Sequence, residues 1–122
     1  MTADLALRLA YCANIAILAP VVTLLLTGPA HRVFGAATPD IASLKLLVAA
    51  LWGAILLCSV AGLFRPQAMV AILLLQVIYK SAWLAGFVIP AMRAGEAVPW
   101  GPAITFVPIV LIWPFILAAA WR

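Results

Sequence analysis

The sequence predicts an all-α membrane protein, a four-transmembrane-helix bundle with short loops that forms a single domain over residues 1–122. Hydrophobic residues make up 69% of the chain and charged residues only 8%, whereas a soluble domain is about half apolar and about a quarter charged. Four apolar runs each approach the ~20 residues that cross a ~30 Å hydrocarbon core. Stretches such as residues 68–75 are apolar on every side, which favours helices over barrel strands that alternate with period two.

The first two spans are bounded by residues that stop or start helices. We predict the first span at residues 5–26, because a Thr-Gly-Pro sequence follows it and glycine and proline end helices efficiently. The second span is predicted at residues 41–63. Thr38 or Asp40, in the loop before it, is placed to cap its N-terminus.

A three-residue link, Phe64-Arg65-Pro66, separates the second span from the third, which is predicted at residues 67–89. Pro66 suits the first position of a helix. So short a link predicts that spans two and three form an antiparallel hairpin packed side by side.

The fourth span, predicted at residues 100–121, has an unusual composition. Prolines recur at or within it at positions 99, 102, 108 and 114. Proline inside a helix removes a backbone hydrogen bond and bends the axis. We therefore expect a bent or partly broken fourth helix, with a regular, mildly kinked helix as the alternative.

The most informative residue is Lys80, near the middle of the third span. At ~1.5 Å per residue it lies ~20 Å along the axis from the nearest arginines, Arg65 and Arg93. A lysine stem can snorkel over only part of that distance. A charge at the bilayer centre costs about 3 kcal/mol on insertion scales, so such a residue normally faces protein or water.

Three neighbours of Lys80 share one stripe of the third span. Gln76, Tyr79, Lys80 and Trp83 follow a spacing of i, i+3, i+4 and i+7. The stripe predicts one wall of a polar pocket that binds an anion or a polar head group, or that transfers a proton. Alternatives are a structural lysine that donates to carbonyls freed by proline and a lysine that contacts another subunit.

Two other spans offer polar partners. Tyr11 and Asn14 in the first span could bind within the bundle and are included in the predicted ligand-binding set, although packing alone would also explain them. Lys45, Trp52 and Ser59 follow a seven-residue series on the second span, where Lys45 lies near the span end and can snorkel.

The residues that are missing limit the chemistry. The only acidic residues, Asp4, Asp40 and Glu96, lie at span ends or in loops, and His31 is the only histidine. We expect no metal site, no cofactor and no haem with two histidine ligands. The seven basic residues are scattered singly rather than clustered, which indicates anchoring to lipid headgroups and no nucleic-acid partner.

These features predict a small multi-pass protein that binds an anionic or polar-headed hydrophobic ligand, such as a lipid, quinone or isoprenoid, or that acts as an accessory subunit. The alternatives are a small-molecule transporter, a membrane-embedded enzyme that uses Lys80 and Tyr79 on a lipid-like substrate, and a structural subunit. The bilayer is the expected environment, and a homo-oligomer or larger complex is compatible with the scarcity of internal polar pairs. The compact single-module design predicts a bacterial inner membrane, and the tight middle turn with two longer outer loops favours cytoplasmic termini.

Overall fold

A computed structural model of the protein describes residues 2–36 and 38–122 and confirms the all-α class. Four helical segments are long and apolar enough to cross a membrane. The helices are α1 (Ala3–Thr27), α2 (His31–Phe34), α3 (Ala42–Phe64), α4 (Val70–Trp83), α5 (Ile89–Ala94) and α6 (Trp100–Ala120). A 3₁₀ turn at Pro66–Met69 and a π-helical segment at Leu84–Val88 flank α4, so the third span runs from Pro66 to Ala94.

The third span is longer than its sequence predicts. It passes Pro90 and ends at Ala94, where residue 89 was the expected end. The amide of Ile89 donates to the carbonyl of Leu84, five residues back, which defines the π segment. In an α-helix the proline ring would clash with the carbonyl four residues before it, and the wider π turn relieves that clash.

The fourth span is a single unbroken helix. Pro99 precedes α6, and Pro102 lies in its first turn, where backbone amides have no helical partner. Only Pro108 and Pro114 lie in the interior, and each removes one hydrogen bond. The prediction of a break in the fourth helix is therefore wrong, whereas a bend in it stays a prediction, and the irregular span is the third.

The loop before α3 differs from its prediction. Ile41 occupies the cap position and makes no side-chain cap bond. The Asp40 carboxylate instead accepts a hydrogen bond from the Ala30 amide at 3.1 Å and pairs with Lys45 at 3.1 Å. The Thr38 hydroxyl donates to the carbonyl of Phe34. Neither predicted cap acts on α3, because Asp40 serves the start of α2.

The helices pair unevenly around the bundle. α1 packs most extensively on α3 and α4 on α6, while α1 also contacts α6. The tight turn at Arg65 and Pro66 is present, but α3 meets the third span mainly at the 3₁₀ turn and has few contacts with α4. The side-by-side hairpin is therefore limited to the turn, because aromatic side chains separate the two helices farther along.

The apolar core is divided into two clusters. One lies toward the termini and contains Leu7, Ala10, Tyr11, Val70, Leu73, Ile109, Trp113 and Leu117. The other lies toward α2 and contains Leu18, Val22, Leu25, Ala49, Trp52, Ile55 and Phe106. The described residues include four buried polar side chains: Asn14 and Lys80 near the middle of their spans, Gln76 one turn before Lys80, and Ser59 nearer the end of α3.

Candidate functional site

Lys80 is buried at the midpoint of the third span, with only 2% of its surface exposed. Its Nζ lies 4.7 Å from the centre of the Phe106 ring and 5.6 Å from that of Tyr79. An ammonium over an aromatic face is attracted by the ring quadrupole. That attraction partly compensates for the lost hydration of the ammonium.

No carboxylate balances Lys80 within the part of the chain that the structure describes. The salt bridge found there joins Lys45 to Asp40 near the membrane surface. The hydrogen bonds found there do not include Lys80 either. Lys80 is therefore a buried residue whose ammonium contacts two aromatic rings and has no hydrogen bond among the described residues.

The Lys80 side chain forms part of the wall of a cavity of about 210 Å³, hereafter the Lys80 cavity. Most of the wall comes from one face of α1 and one face of α6. α1 supplies Ile17, Leu18, Val21 and Leu24, and α6 supplies Gly101, Pro102, Thr105 and Phe106. The cavity therefore lies between α1 and α6, with the buried Lys80 at its inner end.

The helix α2 covers the outer end of the Lys80 cavity. Arg32 and Val33 line it, and a Cβ on Gly101 would lie 3.3 Å from the Val33 carbonyl. The Arg32 guanidinium lies against Gly28, where an added Cβ would come within 2.9 Å of it. The cavity thus has a cation at each end, one buried and one exposed.

The predicted stripe on the third span divides between two regions. Tyr79 and Trp83 line a second cavity of about 190 Å³ between α3 and α4, hereafter the aromatic cleft. Phe34, Val48 and Trp52 line its other side. The Tyr79 hydroxyl is buried and makes no hydrogen bond with the described residues.

Phe106 lies between the Lys80 cavity and the aromatic cleft together with Trp52 and Pro102, since all three line both. Tyr79, Trp83 and Trp52 make edge-on contacts with its ring, at centroid distances of 6.2, 5.3 and 6.2 Å. These T-shaped contacts fix the ring over the ammonium of Lys80. Phe106 therefore positions the cation as well as dividing the space.

A buried polar layer lies beside the site. The Asn14 amide donates to Ser59 at 3.1 Å, and Ser59 donates to the Ile55 carbonyl. The Trp113 indole donates to Gln76 at 3.0 Å. Asn14 Oδ1 and Gln76 Nε2 stay unpaired among the described residues. These bonds link α1 to α3 and α4 to α6, the pairs that pack most extensively.

Tyr11 lies toward the termini, away from the Lys80 cavity. Its hydroxyl donates to the carbonyl of Pro66 at 2.7 Å, and its ring packs on Gly62. The predicted ligand-binding residues therefore occupy three places. Lys80 lines its cavity, Tyr79 and Trp83 line the aromatic cleft, and Gln76, Asn14 and Tyr11 make bonds within the bundle.

Sequence reasoning missed the α1–α6 wall, Arg32 and Phe106. The wall residues are apolar and match any lipid-facing run, while Arg32 is one of several scattered basic residues. Phe106 carried only a weak signal as an aromatic near the middle of its span. The contact with Lys80 depends on the rotation of α6, which sequence periodicity did not define.

Lys80 and Tyr79 make no hydrogen bond to each other among the described residues, and the two residues line different cavities. In residues 2–36 and 38–122, no group of three His, Cys, Asp or Glu side chains could hold a metal ion. No protein-family model, curated protein or solved structure matches this chain.

Proposed function

We propose that the protein binds an anionic, polar-headed hydrophobic molecule in the Lys80 cavity, with the head group against the ammonium of Lys80. The observation that carries the proposal is a buried lysine, 2% exposed, that has aromatic contacts but no anion or hydrogen-bond acceptor among the described residues. Burying an unpaired charge is costly, and a bound anion would remove that cost.

The walls of the cavity support an amphiphilic ligand. Ile17, Leu18 and Val21 offer an apolar face, and Leu24 beside them is exposed where the bilayer would lie. A hydrocarbon chain fits such a face, while a fully polar ion would leave it unsatisfied. A ligand with its head at Lys80 and its chain toward lipid satisfies both parts of the cavity.

The two main rivals have less support. A transporter was expected to combine a cavity at Lys80 with a broken fourth helix, and α6 is continuous. An enzyme was expected to bring Lys80 and Tyr79 within hydrogen-bond reach, and no such bond is present among the described residues. A binding role in an accessory subunit remains part of the proposal, because a ligand site and a partner surface do not conflict.

The proposal also covers location. We place the protein in a bacterial inner membrane because it has a compact single-module design. We place its termini in the cytoplasm because the tight turn at Arg65 lies on their side and the longer loops lie opposite.

Binding of undecanoic acid carrying a dansyl group tests the proposal. The purified protein in phosphatidylcholine nanodiscs should show saturable energy transfer from its tryptophans to the probe. Lys80→Met should weaken binding at least ~10-fold, because truncating one partner of a buried charge pair costs about 2–5 kcal/mol.

Arg93→Met is the matched control, since it also removes one positive charge but at an exposed position outside the cavity. It should change binding less than ~2-fold. Equal binding by wild type and Lys80→Met, with both variants folded by circular dichroism, would reject the proposed site.

A further inference from the structure

The charges and hydrogen-bond donors that line the Lys80 cavity favour some anionic head groups over others. We infer, on the basis of the proposed function, that its ligand is a single-chain monocarboxylate amphiphile, such as a fatty acid, rather than a phosphate monoester.

Charge balance favours a single negative charge. Lys80 supplies one buried positive charge, and the other cation of the cavity, Arg32, is exposed at the outer end. A monoanion at Lys80 gives a neutral buried pair. A dianion would leave one uncompensated negative charge near the bilayer centre, where isolated charges are most costly.

The supply of donors at the inner end is also small. Among the described lining residues, Lys80, Trp52, Thr105 and Arg32 carry side-chain donors. The Thr105 hydroxyl already donates to the Gly101 carbonyl at 2.9 Å, and Arg32 lies at the outer end of the cavity. The two oxygens of a carboxylate need fewer donors than the three of a phosphate monoester, whose unsatisfied oxygens would be buried.

The size of the cavity also favours a single-chain monocarboxylate. At about 210 Å³ it is smaller than the ~300–1,000 Å³ typical of ligand pockets. Phe106, Trp52 and Pro102 lie between it and the aromatic cleft. A small head group on one chain fits this space better than a bulky or two-chained lipid.

Competition on the wild-type protein tests the inference without any substitution. Dansyl-undecanoate bound in nanodiscs is displaced by lauric acid, dodecyl phosphate or dodecanol, which share one chain length. The buffer is mildly alkaline, so that the carboxylate is ionised and the phosphate carries close to two charges. Laurate should displace the probe at least ~10-fold more effectively than either other compound.

Each alternative outcome has a distinct meaning. If dodecyl phosphate competes as well as laurate, or better, the monocarboxylate inference is wrong while the proposed anion site stands. If dodecanol competes equally, or if the probe shows no saturable binding, both the inference and the proposed function fail. Arg93→Met should keep the wild-type order of competition, because Arg93 lies outside the cavity.

Discussion

Lys80, in the middle of this bundle, makes contacts that bear on which ligand the protein binds. Lys80 lies where a bilayer penalises charge most, yet the structure surrounds it with Phe106 and Tyr79. Cation–π contacts contribute about 0.5–2 kcal/mol each, which is less than the cost of burying an unpaired ammonium. The difference is the physical reason for expecting an anionic ligand.

The bond between Gln76 and Trp113 should be measurable by itself. A double-mutant cycle of Gln76→Leu and Trp113→Phe, followed by reversible unfolding in mixed micelles, should give a coupling of about 0.6 kcal/mol and at most ~1.7 kcal/mol. The cycle of Gln76→Leu with Trp121→Phe is the matched control, because Trp121 is exposed at the helix end. That control should be additive within ~0.5 kcal/mol, and equal coupling in both cycles would contradict the assigned bond.

At the scale of elements, close approach between α1 and α3 depends on one glycine. A Cβ at Gly62 would lie 2.7 Å from the ring of Tyr11, whose hydroxyl is fixed by Pro66. At Gly53, on the same helix, the nearest atom is a Val22 methyl at 3.9 Å, which is ordinary contact. The same helix therefore offers a test position and a matched control.

Gly62→Ala should destabilise the protein by about 1–3 kcal/mol, because a rigid, buried ring cannot move aside. Gly53→Ala should be neutral or stabilising, since alanine favours helix by about 1 kcal/mol over glycine. Unfolding in mixed micelles measures both. A Gly62→Ala variant as stable as Gly53→Ala would show that Tyr11 can shift, and that the α1–α3 contact is less constrained than we describe.

The loop that carries α2 should respond to acid through Asp40. The Ala30 amide, followed by the Lys45 ammonium, holds the pKa of this carboxylate below its ordinary value of 3.8. Its stabilising contribution is therefore complete above that value and is lost as the pH falls through the lowered pKa. The bond that holds α2 over the outer end of the Lys80 cavity should therefore weaken only in acid.

Hydrogen exchange at the Ala30 amide measures this effect, with protection corrected for the intrinsic rate at each pH. In the wild-type protein, the Ala30 amide should lose protection at pH values below the ordinary pKa of the Asp40 carboxylate. Asp40→Asn should show no such step, because an asparagine does not titrate in this range. Matching pH profiles in the two proteins would exclude Asp40 as the titrating group.

At the scale of the whole molecule, composition and span length were sufficient for the all-α class and four membrane-spanning helices. The predicted boundaries of the first, second and fourth spans fall within a residue or two of the observed helices. The third span differs because Pro90 is accommodated by a π segment instead of ending the helix. That outcome depends on local hydrogen bonding that apolar patterning does not encode.

The candidate site was predictable only in part. Lys80 can be identified from the sequence because a charged side chain in the middle of a long apolar run is costly to place inside a bilayer. The burial of Lys80 depends on how the third span is rotated. Its contact with Phe106 depends on the packing of α4 on α6. Tyr79 is one residue from Lys80 in sequence yet lines a different cavity, because neighbouring helical residues point in different directions.

The lipid environment, the number of spans and the presence of one central charge follow from the amino-acid sequence, since they depend only on the transfer of side chains into lipid. Packing in three dimensions defines which helices pair, where α3 and α4 separate, and which face of α6 meets Lys80. Apolar side chains are nearly equivalent toward lipid, so helix pairing depends on local shape and on a few polar bonds. The Tyr11–Gly62 contact and the Gln76–Trp113 bond are examples, and both depend on how the helices are rotated against each other.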